Sequence, residues 1–235
     1  MLTKLSCVVL TFNRWKELLP ACLDAIDDSG ASLLDRKIVI DNGAQDPVKV
    51  PAGWEVLRVE ENSGNIFGQN FALGLAGPLG RVLFVSDDVR LLPGCLQQLV
   101  ETEHPYAMPT ILSEDETIQS AGGDIRWPLY GVNRRRWSGY RVDYIPSICY
   151  VMDRGVIKEN FDTTLPGAYE DVDMGIRVRK RGVEPVCLPW AEATHLGNAT
   201  LQYSRKDRWR FRQGRRMLMR KHGSPAVVAL SYVAP

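Results

Sequence analysis

Three short apolar runs, each ending in polar residues and separated from the next by helical or turn-forming sequence, constrain this chain more than any other feature. "LSCVVLT" runs into Phe12-Asn13-Arg14, "KIVI" into Asp41-Asn42-Gly43, and "RVLFV" into Ser86-Asp87-Asp88. Strands are expected at Lys4–Thr11, Lys37–Ile40 and Arg81–Val85, because short apolar runs bounded by turn signals suit buried strands. From Trp15 onward Leu18, Leu19, Cys22, Leu23 and Ile26 recur at helical spacing, with Pro20 placed to disturb the first turn. Trp54–Val59 reads as a further strand, and "NSGNIFGQNFALGLA" as a loop entering a helix with Asn65 as its N-cap. Strands alternating with helices specify βαβ units, hence an α/β fold with a mostly parallel sheet and right-handed crossovers.

Beyond Gly94 the pattern loosens. Cys95–Thr102 reads as a helix, Tyr106–Leu112 as a strand, Gly122–Tyr140 as loops and Tyr144–Met152 as a strand. Tyr169–Arg181 is expected to be helical, with acids at its start, bases at its end and Gly182 as a stop. Val183–Leu188 reads as a short strand and Leu201–Lys221 as a basic helix.

At 235 residues, 45% of them hydrophobic and 24% charged, the chain suits one large globular domain or two very small ones. The five cysteines are scattered and form no CxxC pair, which argues for reduced, buried thiols in a cytoplasmic protein. No stretch approaches the roughly 20 apolar residues of a transmembrane segment, and the first apolar run is too short for a secretory signal. The net charge of +1 is unevenly spread: residues 204–222 hold nine Lys and Arg against one acid, Asp207. The rest of the chain is therefore acidic, so the two parts have different jobs or face each other.

Adjacent carboxylates at the end of a buried strand repel unless something positive sits beside them. In open α/β sheets ligands bind beyond the carboxyl ends of the strands, so Thr11, Asn13, Arg14, Asp41, Asp87 and Asp88 are expected to line one cleft. Hard oxygen ligands suit Mg²⁺ or Mn²⁺, although Asp87-Asp88 alone is equally consistent with a turn cap or a partner for Arg90. Glu170, Asp171 and Asp173 fall in a helix's first turn, where the dipole favours negative charge. That alone accounts for Glu170 and Asp173. His195 follows a short strand, and its combination with the carboxylate pair and the acidic helix start narrows the explanations.

Taken in order, "VVLTFNR", "DNGAQD", "ENSGNIFGQNFALGLA", "VLFVSDDVRLLPG", "TIQSAGG", "YEDVDMGIRVRKRG" and His195 resemble glycosyltransferase family 2, over roughly Leu5 to His222. These are inverting nucleotide-sugar enzymes of the GT-A fold, with a Rossmann-like central sheet flanked by helices in a single domain. The resemblance implies a donor-binding half at 1–112, an acceptor-side and catalytic half at 113–200, and a basic helix and tail at 201–235. Thr11, Asn13 and Asp41 match residues that hold the base and ribose, and Arg14, Asn65 and Asp87 lie with them on the donor side. Asp88 matches the last carboxylate of the family's metal motif, which grips the donor diphosphate through Mn²⁺ or Mg²⁺, and His195 a histidine that completes the metal site. Asp171 matches the general base. Ser86 stands where many members have a first Asp. Trp127 and Trp137, with Tyr130, Tyr140 and Glu170, fall on the acceptor side, although core packing suits two of the four aromatics equally well.

The implied chemistry is a single displacement at the anomeric carbon through an oxocarbenium-like transition state, with a hexosyl or deoxyhexosyl group as cargo. It needs a metal for the departing nucleoside diphosphate and one carboxylate, expected to be ionised near neutrality, to take the acceptor proton. The acceptor expected is a hydroxyl of a saccharide or glycoconjugate, with a hydroxylated base in DNA as the alternative. The basic helix suits a solvated face packed by Trp209, Phe211, Met217 and Leu218, peripheral contact with a membrane surface, or a nucleic-acid backbone. A non-catalytic nucleotide- or glycan-binding module is the alternative of another class. A nucleotidyltransferase is disfavoured because "TFNRWKE" has no glycine, and an aspartyl phosphatase because the first strand lacks DxDxT.

Overall fold

The computed structural model describes residues 5–196 and 205–233. Lys4 and Leu201–Ser204, which the sequence reading assigned to a strand and a helix, lie outside the described residues. At the centre is β1 (Leu5–Thr11), flanked in parallel by β2 (Leu34–Asn42) and β4 (Arg81–Ser86), with β3 (Glu55–Val59) parallel beyond β2. Leu5, Cys7, Val8 and Val9 of β1 and Val82–Val85 of β4 are fully buried. Burial on both faces is why these strands read as continuous apolar runs rather than as alternations.

The crossover helices are α1 (Trp15–Asp28) and α2 (Gly64–Leu75). α1 buries Leu18, Leu19, Cys22, Leu23 and Ile26 and runs unbroken through Pro20, which faces solvent. There water can solvate the carbonyl that proline leaves without a donor. α2 starts two residues earlier than expected: Ser63, not Asn65, is its N-cap residue.

The second half adds strands of both directions. β10 (Cys149–Asp153) lies antiparallel between β4 and β6 (Tyr106–Leu112), and β11 (Val186–His195) runs parallel to β6. β5 (Val89–Leu91) pairs antiparallel with the end of β11, and β7 (Ile118–Ser120) with the end of β6. The central sheet order is β3-β2-β1-β4-β10-β6-β11-β5. Helices α3 (Cys95–Glu101), α4 (Glu170–Lys180), α5 (Arg205–His222) and α6 (Pro225–Val233) complete the fold. No described helix is long and apolar enough to cross a membrane. All five cysteines are free and buried, as their apolar settings implied.

Three expectations shift. Gly122–Tyr140 is not all loop: β8 (Gly123–Arg126) and β9 (Tyr130–Asn133) form a hairpin whose half-buried and exposed residues give no apolar alternation to read. The strand expected from Tyr144 begins at Cys149, after Pro146, which has no amide hydrogen to donate. β11 runs on to His195 because an irregularity between Leu188 and Glu192 resets its register and leaves Trp190 exposed, which hid the second half of the strand.

This topology positions the site. Thr11 is the register partner of Asp41, and Leu10 that of Ser86, so the ends of β1, β2 and β4 form one edge. β10 is antiparallel to both β4 and β6, so β6 and β11 run with β4 and carry His195 to the same edge. The pairing of His195 with Val89 completes the approach to Asp88.

Candidate active site

The edge at the carboxyl ends of β1, β2 and β4 is built from loops tied to one another. Thr11 Oγ1 donates to Asp87 Oδ2 at 2.5 Å. Burial pushes the Asp87 carboxyl up to about 6, against the Thr11 hydroxyl bond and with the help of the Asp88 charge. Asp41 is buried, and both its oxygens are engaged: Oδ1 accepts from the Ala44 amide at 2.8 Å and Oδ2 from Arg58 Nη1 at 2.7 Å. Asn13 Oδ1 accepts from the Gln45 amide at 3.0 Å, joining the loops after β1 and β2. Arg14 is exposed and pairs with Glu17 at 2.8 Å. Sequence reasoning missed Arg58 and Asn42. Buried Asn42 bonds Asn62, Ser63 and Gly64 and thereby fixes the entry to α2; its place in the "DNG" turn was the available signal. Gly43 is required there, because its φ is +76° and an added Cβ would meet the Asn62 nitrogen at 2.6 Å.

Asp88 and His195 come together directly, with His195 Nε2 3.2 Å from Asp88 Oδ2. The other ring nitrogen, Nδ1, lies 2.7 Å from Gln119 Oε1. One carboxylate oxygen and one imidazole nitrogen at this edge of the sheet would fit Mn²⁺ or Mg²⁺ with ligand oxygens and water in the remaining positions. Among the described residues no group of three or more His, Cys, Asp or Glu forms a self-sufficient metal cage.

The third part is the start of α4. Tyr169, its N-cap residue, has φ +68°, a left-handed conformation uncommon for a bulky residue. Glu170 is buried and hydrogen-bonds the Asn65 side chain, while its Oε2 has no partner. Asp171 Oδ1 accepts from the Val172 amide at 2.7 Å. Burial, and then the neighbouring Glu170 charge, push Asp171 up to about 8, and burial raises Glu170 as well. The expectation that a helix start keeps Asp171 ionised near neutrality is therefore corrected for the ligand-free protein: desolvation outweighs the local amide bonds. The buried Tyr150 hydroxyl donates to Gln69 Oε1 at 3.2 Å, one helical turn after Asn65.

Asp173 plays a different part. It is fully buried, with Arg177 Nε at 2.7 Å on Oδ2 and Lys221 Nζ at 2.8 Å and His222 Nε2 at 2.7 Å on Oδ1. Burial alone would raise its pKa, but hydrogen bonds from His222 and Lys221 and the charge of Arg177 hold the carboxyl well below the usual range. Simple helix-start electrostatics does not describe it, because it ties α4 to the end of α5. Gly214 of α5 approaches so closely that an added Cβ would meet the Ala168 oxygen at 2.5 Å, and Phe211 packs edge-on against Tyr169.

The aromatics of the expected acceptor side split into two groups. Trp127 is highly exposed on the β8–β9 turn, and Tyr130 lies 5.2 Å beneath the Arg215 guanidinium. Trp137, Tyr140 and Trp190 form an edge-to-face row. Tyr140 and Trp190 border a cleft of about 810 Å³ at the amino-terminal ends of β6 and β11, away from His195.

No protein-family model and no curated protein matches the sequence. Solved structures do match. GalNAc-T7, solved with UDP, GalNAc and Mn²⁺, superposes with a TM-score of 0.68 at 15% identity over 83% of this chain and 44% of that one. S. aureus TarS 1–349 gives 0.61 at 16% identity, covering 94% of this chain and 74% of that one. Its complex with UDP gives 0.60 at 17%, covering 99% and 75%. The chain thus spans less than half of the GalNAc-T7 chain it matches. At these identities the likeness concerns the fold, and the fold is the α/β architecture of GT-A glycosyltransferases.

Proposed function

We propose that this protein is an inverting glycosyltransferase that moves a sugar from a nucleoside-diphosphate sugar to a hydroxyl acceptor with the help of a divalent cation. The observation that carries the reading is the 3.2 Å approach of His195 Nε2 to Asp88 Oδ2 at the carboxyl end of the donor strands. Asp88 and His195 would hold Mn²⁺ or Mg²⁺ together with the diphosphate, and the cation would supply charge neutralisation for the leaving group. Thr11, Asn13, Arg14, Asp41, Asn65 and Asp87 shape the nucleotide side, with Asp87 oriented by Thr11.

Asp171 takes the proton of the acceptor hydroxyl. Its burial makes it a stronger base than a solvated aspartate once ionised, and a pKa close to the working pH suits general-base catalysis. Glu170 lies beside it on the acceptor side and, through its bond to Asn65, joins the catalytic helix to the donor half. The acceptor is a saccharide or glycoconjugate hydroxyl, and the outer face of α5 offers peripheral contact with an anionic surface.

The test is a thermal-shift panel of UDP-, GDP- and dTDP-sugars with and without Mn²⁺, followed by measurement of nucleotide release. UDP-sugars come first because two of the superposed structures contain UDP. The expected result is metal-dependent stabilisation by one nucleotide class, and slow donor hydrolysis without acceptor. Binding without hydrolysis or transfer would identify a non-catalytic module. No stabilisation by any nucleotide would overturn the reading.

A further inference from the structure

We infer that Gln119 is a positioning residue for the Asp88–His195 pair, its amide oxygen fixing the ring orientation and tautomer that turn the His195 Nε2 lone pair toward Asp88. The inference rests on the proposed function only for the identity of the ligand that the pair receives. The tautomer is a property of the ligand-free protein.

β7 pairs with the last residues of β6 through Ser120 and Ile118, while β11 pairs with those same residues through Ala193 and Thr194. The two strands therefore flank the end of β6, and Gln119, at the irregular position between Ile118 and Ser120, reaches across it to His195. The resulting Nδ1···Oε1 distance is 2.7 Å between residues 76 apart in sequence. A carboxamide oxygen only accepts, so the proton in this bond belongs to Nδ1, and a neutral imidazole then carries its lone pair on Nε2.

That lone pair faces Asp88 Oδ2 at 3.2 Å. Two electron-rich atoms so placed repel unless a positive charge lies between them, which is the state of a pair ready for a cation. The opposite tautomer would put a proton on Nε2, donate it to Asp88 and close the pair on itself. By holding the proton at Nδ1, Gln119 selects the receptive form, as outer hydrogen-bond partners do for metal-binding histidines.

The experiment reads the tautomer first. ¹⁵N–¹H correlation spectra of the ligand-free protein, recorded at alkaline pH, report which nitrogen carries the proton. His195 is assigned among the three histidines by its loss in His195→Asn. The wild type is expected to show Nδ1–H, Gln119→Met to revert to Nε2–H, and Gln119→Glu, which keeps an acceptor, to retain Nδ1–H. In the presence of UDP, Mn²⁺ affinity measured by electron paramagnetic resonance is expected to fall roughly 10- to 100-fold in Gln119→Met, the range for lost outer partners. Gln119→Glu should restore it. An Nε2–H wild type overturns the inference even if no variant folds, and so does a folded Gln119→Met that retains Nδ1–H or full Mn²⁺ affinity. Failure of the wild type to bind Mn²⁺ with UDP would count against the proposed function, while the tautomer still decides the role of Gln119.

Discussion

His222 Nε2 lies 2.7 Å from Asp173 Oδ1, so the last turn of the basic helix α5 is closed onto the helix that begins with Glu170 and Asp171. Lys221 reinforces the closure by bonding Asp162 at 2.5 Å as well as Asp173. Part of the positive tract is therefore spent inside the molecule, and the acidic and basic parts of the chain do face each other.

Asp173→Asn should act on stability. It leaves Arg177, Lys221 and His222 around a neutral side chain, and removing one member of a buried ionic cluster costs about 3–5 kcal/mol. The lower end applies because Lys221 and Arg177 retain access to water. A melting temperature roughly 6–12 °C below wild type at neutral pH is expected. The native pKa is depressed, so the contribution is complete above the unfolded value of about 3.9 and is lost as pH falls through the native one. The gap in melting temperature should therefore close in acid. A neutral-pH melt unchanged by the substitution would show that the cluster is not structural.

Asp171→Asn should separate chemistry from binding. A general base acts in the transition state, so transfer should drop about 10²- to 10⁴-fold while donor affinity stays near wild type. Loss of donor binding instead would move Asp171 to the nucleotide site and make Glu170 the first candidate base.

The raised pKa of Asp171 gives a second reading in pH. Its native value exceeds its unfolded one, so the folded state loses stability as pH rises from about 4 toward about 8. Asp171→Asn escapes that loss. It should melt with the wild type near pH 4 and above it at pH 8. Over the same range, wild-type kcat/KM should rise through about pH 8 as the free enzyme's base ionises. A flat profile across that range would remove Asp171 from the rate equation.

Asp88→Ala should abolish metal-dependent donor binding. Calorimetry with UDP is expected to show a steep loss of affinity in the wild type on chelation, and in the variant equally weak binding with and without Mn²⁺. Retention of a metal response by the variant would place the cation elsewhere.

The outer face of α5 offers Arg205, Trp209 and Arg212 to solvent. Arg205→Glu with Arg212→Glu should weaken binding to anionic vesicles at low salt without lowering the melting temperature, and wild-type binding should itself fall steeply as salt rises. Binding to duplex DNA in place of vesicles would favour the nucleic-acid acceptor. Binding to neither would leave α5 as a solvated face that packs against Tyr169 and Ala168.

Much of the α/β frame was legible in the sequence, because strands buried on both faces must be continuously apolar and their crossover helices must be amphipathic. β1, β4, β6 and α1 were located almost to the residue for that reason. The charges at the two ends of α4 marked it equally well. The residues at strand ends were legible as well, since parallel topology gathers the carboxyl ends of strands at one edge. What the sequence left undetermined depends on partners distant in the chain. β8, β9 and the far half of β11 hold their places through backbone pairing rather than through an apolar pattern. The Asp87 and Asp171 carboxyls are raised by burial, which no local spacing reveals. Asp173 read as a helix-start acid until the last turn of α5 was placed against it. Gln119 carried no signal by itself, because a carboxamide becomes an orienting group only when the fold sets a histidine 2.7 Å away.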